Sequence, residues 1–147
     1  MDSVLLRLAR RPPVTIRRDA TVLEAVRVML ENQVGAALVL EDGRAVGVFT
    51  ERDIMGKVVA DRLDPETTKV ATVMTSPVHT IPAEAEPAAA LELMLDKHIR
   101  HLPLVDVQRR VVGILSMRYL MRHQIDRLQD RARSLENYLG SEGHPGG

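Results

Sequence analysis

Cysteine is missing from this sequence, and several other kinds of residue are scarce. With no Cys among 147 residues, disulfide bonds, thiolate zinc sites and cysteine nucleophiles are excluded. The aromatic residues are Phe49, Tyr119 and Tyr138, too few for a surface that stacks the bases of single-stranded nucleic acid. Lys plus Arg equals Asp plus Glu at 20 each, so no strong overall field favours nucleic acid or an anionic membrane.

Long apolar runs and catalytic motifs are also absent. The sequence has no run of roughly eighteen uncharged apolar residues, and its first ten residues hold only a short apolar patch between charges. We therefore expect neither a membrane span nor a signal peptide. We expect the protein to be cytoplasmic. There is no GxSxG, no HExxH and no glycine-rich phosphate loop, so we predict no enzyme and no catalytic cofactor.

What the sequence does contain is an internal repeat. A shift of 65 residues aligns PPVTIRRDATVLEAVRVML with PVHTIPAEAEPAAALELML, so that Met29 meets Met94. After one extra residue in the second copy the shift becomes 66, and GVFTERD at 47–53 falls on GILSMRY at 113–119. Hydrophobic residues make up 45% of the chain, which is enough for a core shared by two small units.

Each unit has the same predicted order of elements, β-α-β-β-α. A short strand, at Val14 to Ile16 and at His79 to Ile81, precedes a helix with apolar residues three and four positions apart. Two strands joined by a polar turn follow, and Asp42-Gly43 is the clearest hairpin signal. A second helix is expected to begin near Thr50 in one copy and near Ser116 in the other.

The predicted fold is α/β (α+β): two such repeats packed sheet to sheet with pseudo-twofold symmetry, because neither unit could bury both faces of its sheet alone. Two clefts between the repeats would result. The expected segments are a short helix or lead-in at 1–10, repeat 1 at 11–60, a linker at 61–76, repeat 2 at 77–124, a helical extension at 125–139 and a disordered tail at 140–147.

The extension carries an apolar seam. Its members step by four and three residues and are Met121, Ile125, Leu128, Ala132, Leu135 and Leu139. One helix from about 117 to 139, ended by Gly140, would display them. This helix either lies back on its own module or joins a dimer interface.

Thr50 and Asp53 allow two interpretations. A threonine followed three residues later by an acid forms a capping box, in which each side chain accepts a hydrogen bond from the other residue's backbone amide. A helix N-terminus also offers unpaired amides and a positive dipole end to a phosphate, so the pair could serve a ligand as well. At the equivalent positions of the second copy stand Ser116 and Tyr119.

These repeated strand-helix openings, the KHIRHLPLVD segment, and the closing GVFTERD and GILSMRY together resemble a tandem pair of cystathionine-β-synthase (CBS) domains, a Bateman module, over roughly residues 10 to 124. The resemblance implies a regulatory module that binds AMP, ADP or ATP and has no catalytic activity of its own. In this family the aspartate of the closing motif holds the ribose hydroxyls, and the Thr or Ser before it helps to hold the ribose-phosphate.

The family pattern also implies two sets of site residues. The intact site would comprise Thr50, Asp53, Pro77, Val78, His79, Ile99, Arg100, His101 and Arg118. The degenerate site would comprise Val14, Val34, Gly35, Arg52, Ser116 and Tyr119. A phenol cannot accept bonds from two neighbouring hydroxyls as a carboxylate does, so we expect the second site to bind weakly, to bind another ligand or to be filled by the tyrosine.

Two further groups of side chains have alternative interpretations. Arg100 and Arg118 are candidate phosphate ligands, Arg52 is a weaker one, and each arginine could instead pair with a surface acid. His98 and His101 are spaced like metal ligands, but no third ligand is apparent and we predict no metal site.

The resemblance implies a homodimer and a regulated partner protein, neither of which the sequence identifies. A rival hypothesis is a dimeric scaffold that binds no ligand and uses its long helix to contact a partner. The ligand could also be another adenosyl compound, NAD(H) or S-adenosylmethionine, since the ribose contact is common to all of them.

Overall fold

A computed structural model describes residues 3–142, and within them the predicted order of elements is confirmed. Repeat 1 contains β1 (Thr15–Arg17), α2 (Val22–Glu31), β2 (Ala36–Glu41), β3 (Arg44–Thr50) and α3 (Glu51–Asp53), which continues as a π-helical turn over Ile54–Val59. Repeat 2 contains β4 (Ile81–Pro82), α5 (Pro87–Lys97), β5 (His101–Val105), β6 (Val111–Ser116) and α6 (Met117–Glu142). Two short helices, α1 (Val4–Leu8) and α4 (Val70–Val73), precede the repeats.

Each repeat forms a three-stranded sheet with the same topology. The first strand pairs parallel to the second, which pairs antiparallel to the third, in the orders β1-β2-β3 and β4-β5-β6. Asp42 and Gly43, with φ of 50° and 77°, supply the turn between β2 and β3. Positive φ at both central residues is what a tight hairpin turn with the native strand twist requires. A capping box of Thr21 and Glu24 begins α2.

The two sheets pack against each other, as predicted. A small apolar cluster from both repeats joins them, formed by Ala36, Leu38, Val48 and Ile114. Larger cores lie on the helical side of each sheet, one around Phe49 and Met29 and the other around Leu102 and Met94. The pseudo-twofold arrangement therefore has three apolar layers, with the middle one formed by the repeat interface.

Each of the short helices α1 and α4 precedes one repeat in the chain and completes the core of the other repeat. Leu5 of α1 is fully buried in the core of repeat 2, whereas Val70 and Val73 of α4 are buried in the core of repeat 1. The backbones of Arg10 and Ile114 pair after α1, and those of Thr75 and Val48 pair after α4. The expected lead-in and linker thus contribute to packing as well as to connection.

Several boundaries differ from the predictions. The first strand of each repeat begins later than expected, at Thr15 and at Ile81. Helix α6 passes the expected stop at Gly140 and includes Glu142, because Gly140 keeps a helical backbone and does not adopt the positive φ of a glycine cap. The remainder of the predicted disordered tail, residues 143–147, lies outside the described residues. No helix within residues 3–142 is long and apolar enough to cross a membrane.

Candidate functional site

A groove of about 1490 Å³ runs along the interface between the repeats. All fifteen residues predicted for the two clefts line it, so the structure brings both sets together in one continuous groove. Val48 and Ile114, two members of the apolar cluster that joins the sheets, also line it. The clefts are continuous because this shared apolar surface connects one to the other.

Thr50 and Asp53 form the capping box at the start of α3. The Thr50 amide donates to Asp53 Oδ2 at 3.0 Å, and the Asp53 amide donates to Thr50 Oγ1 at 3.2 Å. The Thr50 hydroxyl also lies 3.2 Å from Asp53 Oδ2. The capping interpretation is therefore correct. It leaves the ligand interpretation open, because both residues also line the groove.

The other carboxylate oxygen of Asp53 has two partners that the sequence interpretation missed. The Thr75 hydroxyl donates to Oδ1 at 2.8 Å, and the Lys57 ammonium lies 3.0 Å from the same oxygen. Lys57 Nζ also donates to the carbonyls of Val73 and Met74, at 2.9 and 3.3 Å. Asp53 is only 3% exposed, and these contacts satisfy a buried charge that would otherwise be costly. A ribose could bond this carboxylate by exchanging with the partners on Oδ1, since Oδ2 caps the helix.

Beside the groove, repeat 2 has the same backbone hydrogen bond at the start of its second helix as repeat 1 has. The amide of Glu51 donates to the Gly35 carbonyl at 3.1 Å, and the amide of Met117 donates to the Arg100 carbonyl at 2.8 Å. Tyr119, which stands where Asp53 stands in repeat 1, is 57% exposed. Its ring is thus largely accessible to solvent, although the residue also lines the groove.

The groove is more basic than the chain as a whole. Its carboxylates are Glu51 and Asp53, whereas six cationic side chains line it: Arg10, Arg52, Lys57, Lys97, Arg100 and Arg118. The full sequence is neutral. A net positive lining concentrated in a concave site favours anionic ligands over neutral or cationic ones.

His101 lies in the groove beside Gly35 and Glu51. A methyl group on Gly35 would come within 2.6 Å of Glu51 Oε1 and 3.5 Å of His101 Nε2, so these side chains crowd the glycine. Burial lowers the pKa of His101 below its ordinary value, and the nearby Arg100 lowers it further, whereas Glu51 opposes the shift. This shift favours the neutral form of His101 near neutral pH, in which the ring donates one hydrogen bond and accepts another.

His98 and His101 are the two histidines whose spacing resembles that of metal ligands. His98 adopts a left-handed conformation at the C-terminus of α5, while His101 begins β5. Within the part of the chain that the structure describes, no three His, Asp or Glu side chains form a group that could hold a metal ion.

Some residues of the groove were missed from sequence. Lys57 follows Asp53 by four residues within a helix, a spacing that favours an ion pair and was available as a signal. Thr75 and Arg10 were assigned to a linker and a lead-in, so no pattern marked them as lining a site.

Comparison with known proteins places these features in a family. The CBS domain model matches residues 5–60 and 70–126. An uncharacterized protein of Methanopyrus kandleri is 33% identical over 115 residues, which are 78% of this chain and 59% of that protein. This chain therefore spans about three fifths of that relative's length.

Two solved structures extend the comparison. A CBS domain protein from Pyrobaculum aerophilum complexed with AMP is 32% identical, with a TM-score of 0.70 over 78% of this chain and 88% of that one. A CBS domain pair in complex with 5′-methylthioadenosine and S-adenosyl-L-methionine has a TM-score of 0.76 over 85% of this chain and 98% of that one. At 23% identity the second shares the fold alone.

Proposed function

Given that this chain belongs to the CBS domain family and contains two CBS domains, we propose that it is a regulatory module that binds an adenine nucleotide, AMP, ADP or ATP, between its repeats. The observation that carries the proposal is the position of Asp53 and Thr50 at a helix start, inside a groove lined by six cations. A carboxylate can accept bonds from both ribose hydroxyls, and the cations can bind phosphate.

The charge of the groove supports a phosphate-bearing ligand over other adenosyl compounds. Arg100 and Arg118 line the groove together with Asp53, and each offers a planar fork of donors suited to phosphate oxygens. S-adenosylmethionine carries a positive sulfonium, which this lining would repel. The AMP complex of the Pyrobaculum relative supports the same ligand class.

The adenine ring would lie against the apolar side of the groove. Val78 packs against the cluster that joins the sheets, and Pro77, His79, Ile99 and His101 line the same groove. A neutral His101 could donate to or accept from a ring nitrogen. The proposed module performs no chemistry: it would report nucleotide levels in the cytoplasm by changing its contacts with a regulated protein.

We further propose a homodimer, because exposed apolar side chains recur at equivalent helical positions of both repeats. The equivalent pairs are Leu30 with Leu95, Met55 with Met121, and Val59 with Ile125. Apolar surface repeated in this way favours contact with a second module of the same symmetry.

Calorimetric titration with AMP, ADP, ATP, NADH and S-adenosylmethionine tests the ligand proposal. We expect the wild type to bind at least one of the nucleotides and Asp53→Asn to lose binding while remaining folded. Asp126→Asn, an exposed acid on α6 outside the groove lining, serves as the control and should bind normally. A ligand at about 100 times its dissociation constant should also raise the free energy of unfolding by about 2.7 kcal/mol. If no compound binds, the scaffold hypothesis replaces this one.

A further inference from the structure

The C-terminal half of α6 carries a row of exposed leucines. Leu128, Leu135 and Leu139 are 64%, 59% and 57% exposed, and every side chain from Ile125 to Gly140 is exposed. This part of the helix, from Ile125 to Glu142, is about 26 Å long at about 1.5 Å per residue. Large apolar side chains aligned on one face of an exposed helix indicate a surface that another helix covers.

The order of residues along this row favours a particular kind of pairing. In a heptad written abcdefg, Ile125, Ala132 and Leu139 fall at a, and Met121, Leu128 and Leu135 fall at d. A β-branched residue at a with leucine at d favours a parallel two-stranded coiled coil. Ile125 at a and Leu128 at d fit this preference, and Leu135 is the leucine at the next d position.

The charges beside the row distinguish between parallel and antiparallel pairing. Arg131 falls at g and Glu136 at the following e, five residues later, which is the spacing at which a parallel partner meets. The ion pairs along α6 join Arg122 to Asp126 and Arg133 to Asp130. Within residues 3–142, Arg131 and Glu136 have no ion pair and are available to a second helix.

Antiparallel pairing would add a like-charge contact at the centre of the seam. Matching a to d positions in that orientation sets Leu135 beside Ile125 of the partner subunit. It also brings Arg131 opposite Arg131 of the partner subunit, a repulsive contact that the parallel arrangement lacks. The parallel arrangement instead gives two symmetric attractions between Arg131 and Glu136.

We propose that residues 121–139 of α6 pair with the same segment of a second copy of this chain as a parallel, in-register coiled coil, with Arg131 facing Glu136 of the partner subunit. This inference rests on the homodimer proposed above and is independent of any ligand. It sets the two modules of the dimer side by side at one end of a shared helical stalk.

The natural lack of cysteine makes disulfide trapping a direct test in the full-length chain. Leu135→Cys alone should give a covalent dimer under mild oxidation, because in-register d positions face each other across the seam. Asp130→Cys, at the outer f position, is the matched control and should stay monomeric on a denaturing gel. Cross-linking only in a mixture of Ile125→Cys and Leu135→Cys proteins would show antiparallel pairing and overturn the proposal, as would no cross-linking at all.

Charge exchange gives an independent readout. Arg131→Glu and Glu136→Arg should each weaken dimerisation by about five-fold in sedimentation, because each turns two attractions into repulsions. The double exchange restores both pairs in the parallel arrangement and should return the dissociation constant to the wild-type value. If the double variant dimerises no more tightly than the single variants, the contact between Arg131 and Glu136 of the partner subunit is absent and the proposal fails. Ligand titration of the same variants is unaffected either way, so this result is separable from the nucleotide proposal.

Discussion

The ammonium of Lys57 lies 3.0 Å from Oδ1 of Asp53 and also donates to the carbonyls of Val73 and Met74 at the end of α4. One lysine thus joins the carboxylate proposed to hold ribose to the segment that connects the two repeats. Thr75, which follows α4, contacts the same oxygen at 2.8 Å. A ligand that displaces either partner from Asp53 would remove one of the contacts between this carboxylate and that segment.

Replacing Lys57 with Met should destabilise the fold by about 1–2 kcal/mol. The substitution removes the ion pair and leaves the buried carboxylate of Asp53 with hydrogen bonds alone. Because Lys57 itself is 44% exposed, the loss of stability should lie between the values for a surface ion pair and for a buried one. Urea denaturation measures it. Lys69→Met, an exposed lysine just before α4, is the control and should change stability by less than about 0.5 kcal/mol. Equal effects of the two substitutions would contradict the role given to the ion pair.

The same variant should bind adenosine more tightly than the wild type does. Without Lys57, Oδ1 of Asp53 loses one of its two partners and gains free capacity for a ribose hydroxyl, so less is lost when the sugar enters. Calorimetry with adenosine, which lacks phosphate, isolates this effect from any attraction between Lys57 and a phosphate group. Weaker binding of adenosine would mean that Lys57 organises the carboxylate for ribose and does not compete with it.

Two glycines at equivalent positions should be sensitive to a single methyl group. A Cβ at Gly47 would lie 2.5 Å from Met74 Sδ and 3.1 Å from the Thr75 carbonyl, and one at Gly113 would lie 2.9 Å from the Arg10 carbonyl. Backbone atoms cannot move aside as a side-chain end can, so Gly47→Ala and Gly113→Ala should each cost about 1–3 kcal/mol.

Gly35→Ala provides the matched comparison for these two substitutions. Its nearest contact is the end of the flexible Glu51 side chain, which can rotate away, so the cost should be smaller. Thermal or urea denaturation of the three variants gives the ranking. If Gly35→Ala proved the most damaging, the close approach of the segments after α1 and α4 would not explain the glycines.

Stability should fall on acidification partly because of His101. Burial lowers its pKa in the folded chain, so the unfolded chain takes up this proton first as the pH falls below the ordinary value of 6.5. The stabilising contribution is complete above that value and is lost as the pH falls toward the pKa of the folded chain.

Comparison of the wild type with His101→Gln between about pH 7.5 and about pH 5.5 measures this contribution, since all other groups are shared. The variant should lose less stability over that range. Equal losses would show that His101 is not held neutral by its surroundings beside Glu51 and Arg100.

Local features of the fold could be predicted from sequence because their causes are local. The capping box of Thr21 and Glu24 and the turn at Asp42-Gly43 each depend on residues within four positions of one another. The repeat then supplied the long-range information, since two equivalent units pack with their equivalent surfaces together. That symmetry is why all fifteen candidate residues line one groove.

The features that were missed depend on the path of the chain in three dimensions. Thr75 reaches Asp53 across 22 residues, and only the position of α4 in the first core determines that contact. Leu5 likewise enters the second core, far from its own neighbours in sequence. Neither arrangement leaves a periodic or compositional signal.

Restoring an acid at position 119 should create a second nucleotide site. Tyr119 is the counterpart of Asp53, and Ser116 and Arg52, which line the same half of the groove, would complete the set. The ring is largely exposed, so its removal opens no cavity in the core. His123 follows by four residues, as Lys57 follows Asp53, and its buried Nε2 has no hydrogen-bond partner within residues 3–142.

Calorimetry of Tyr119→Asp should therefore give about two nucleotides per chain where the wild type gives about one, the second more weakly bound. Tyr119→Phe is the control, because it removes the hydroxyl without supplying an acceptor and should keep a single site. Two equivalents bound by the wild type would show that a carboxylate is not needed in this half of the groove. A single equivalent bound by Tyr119→Asp would show that the carboxylate alone does not make a ribose site, and that the Lys57 and Thr75 contacts of Asp53 are part of what the second half lacks.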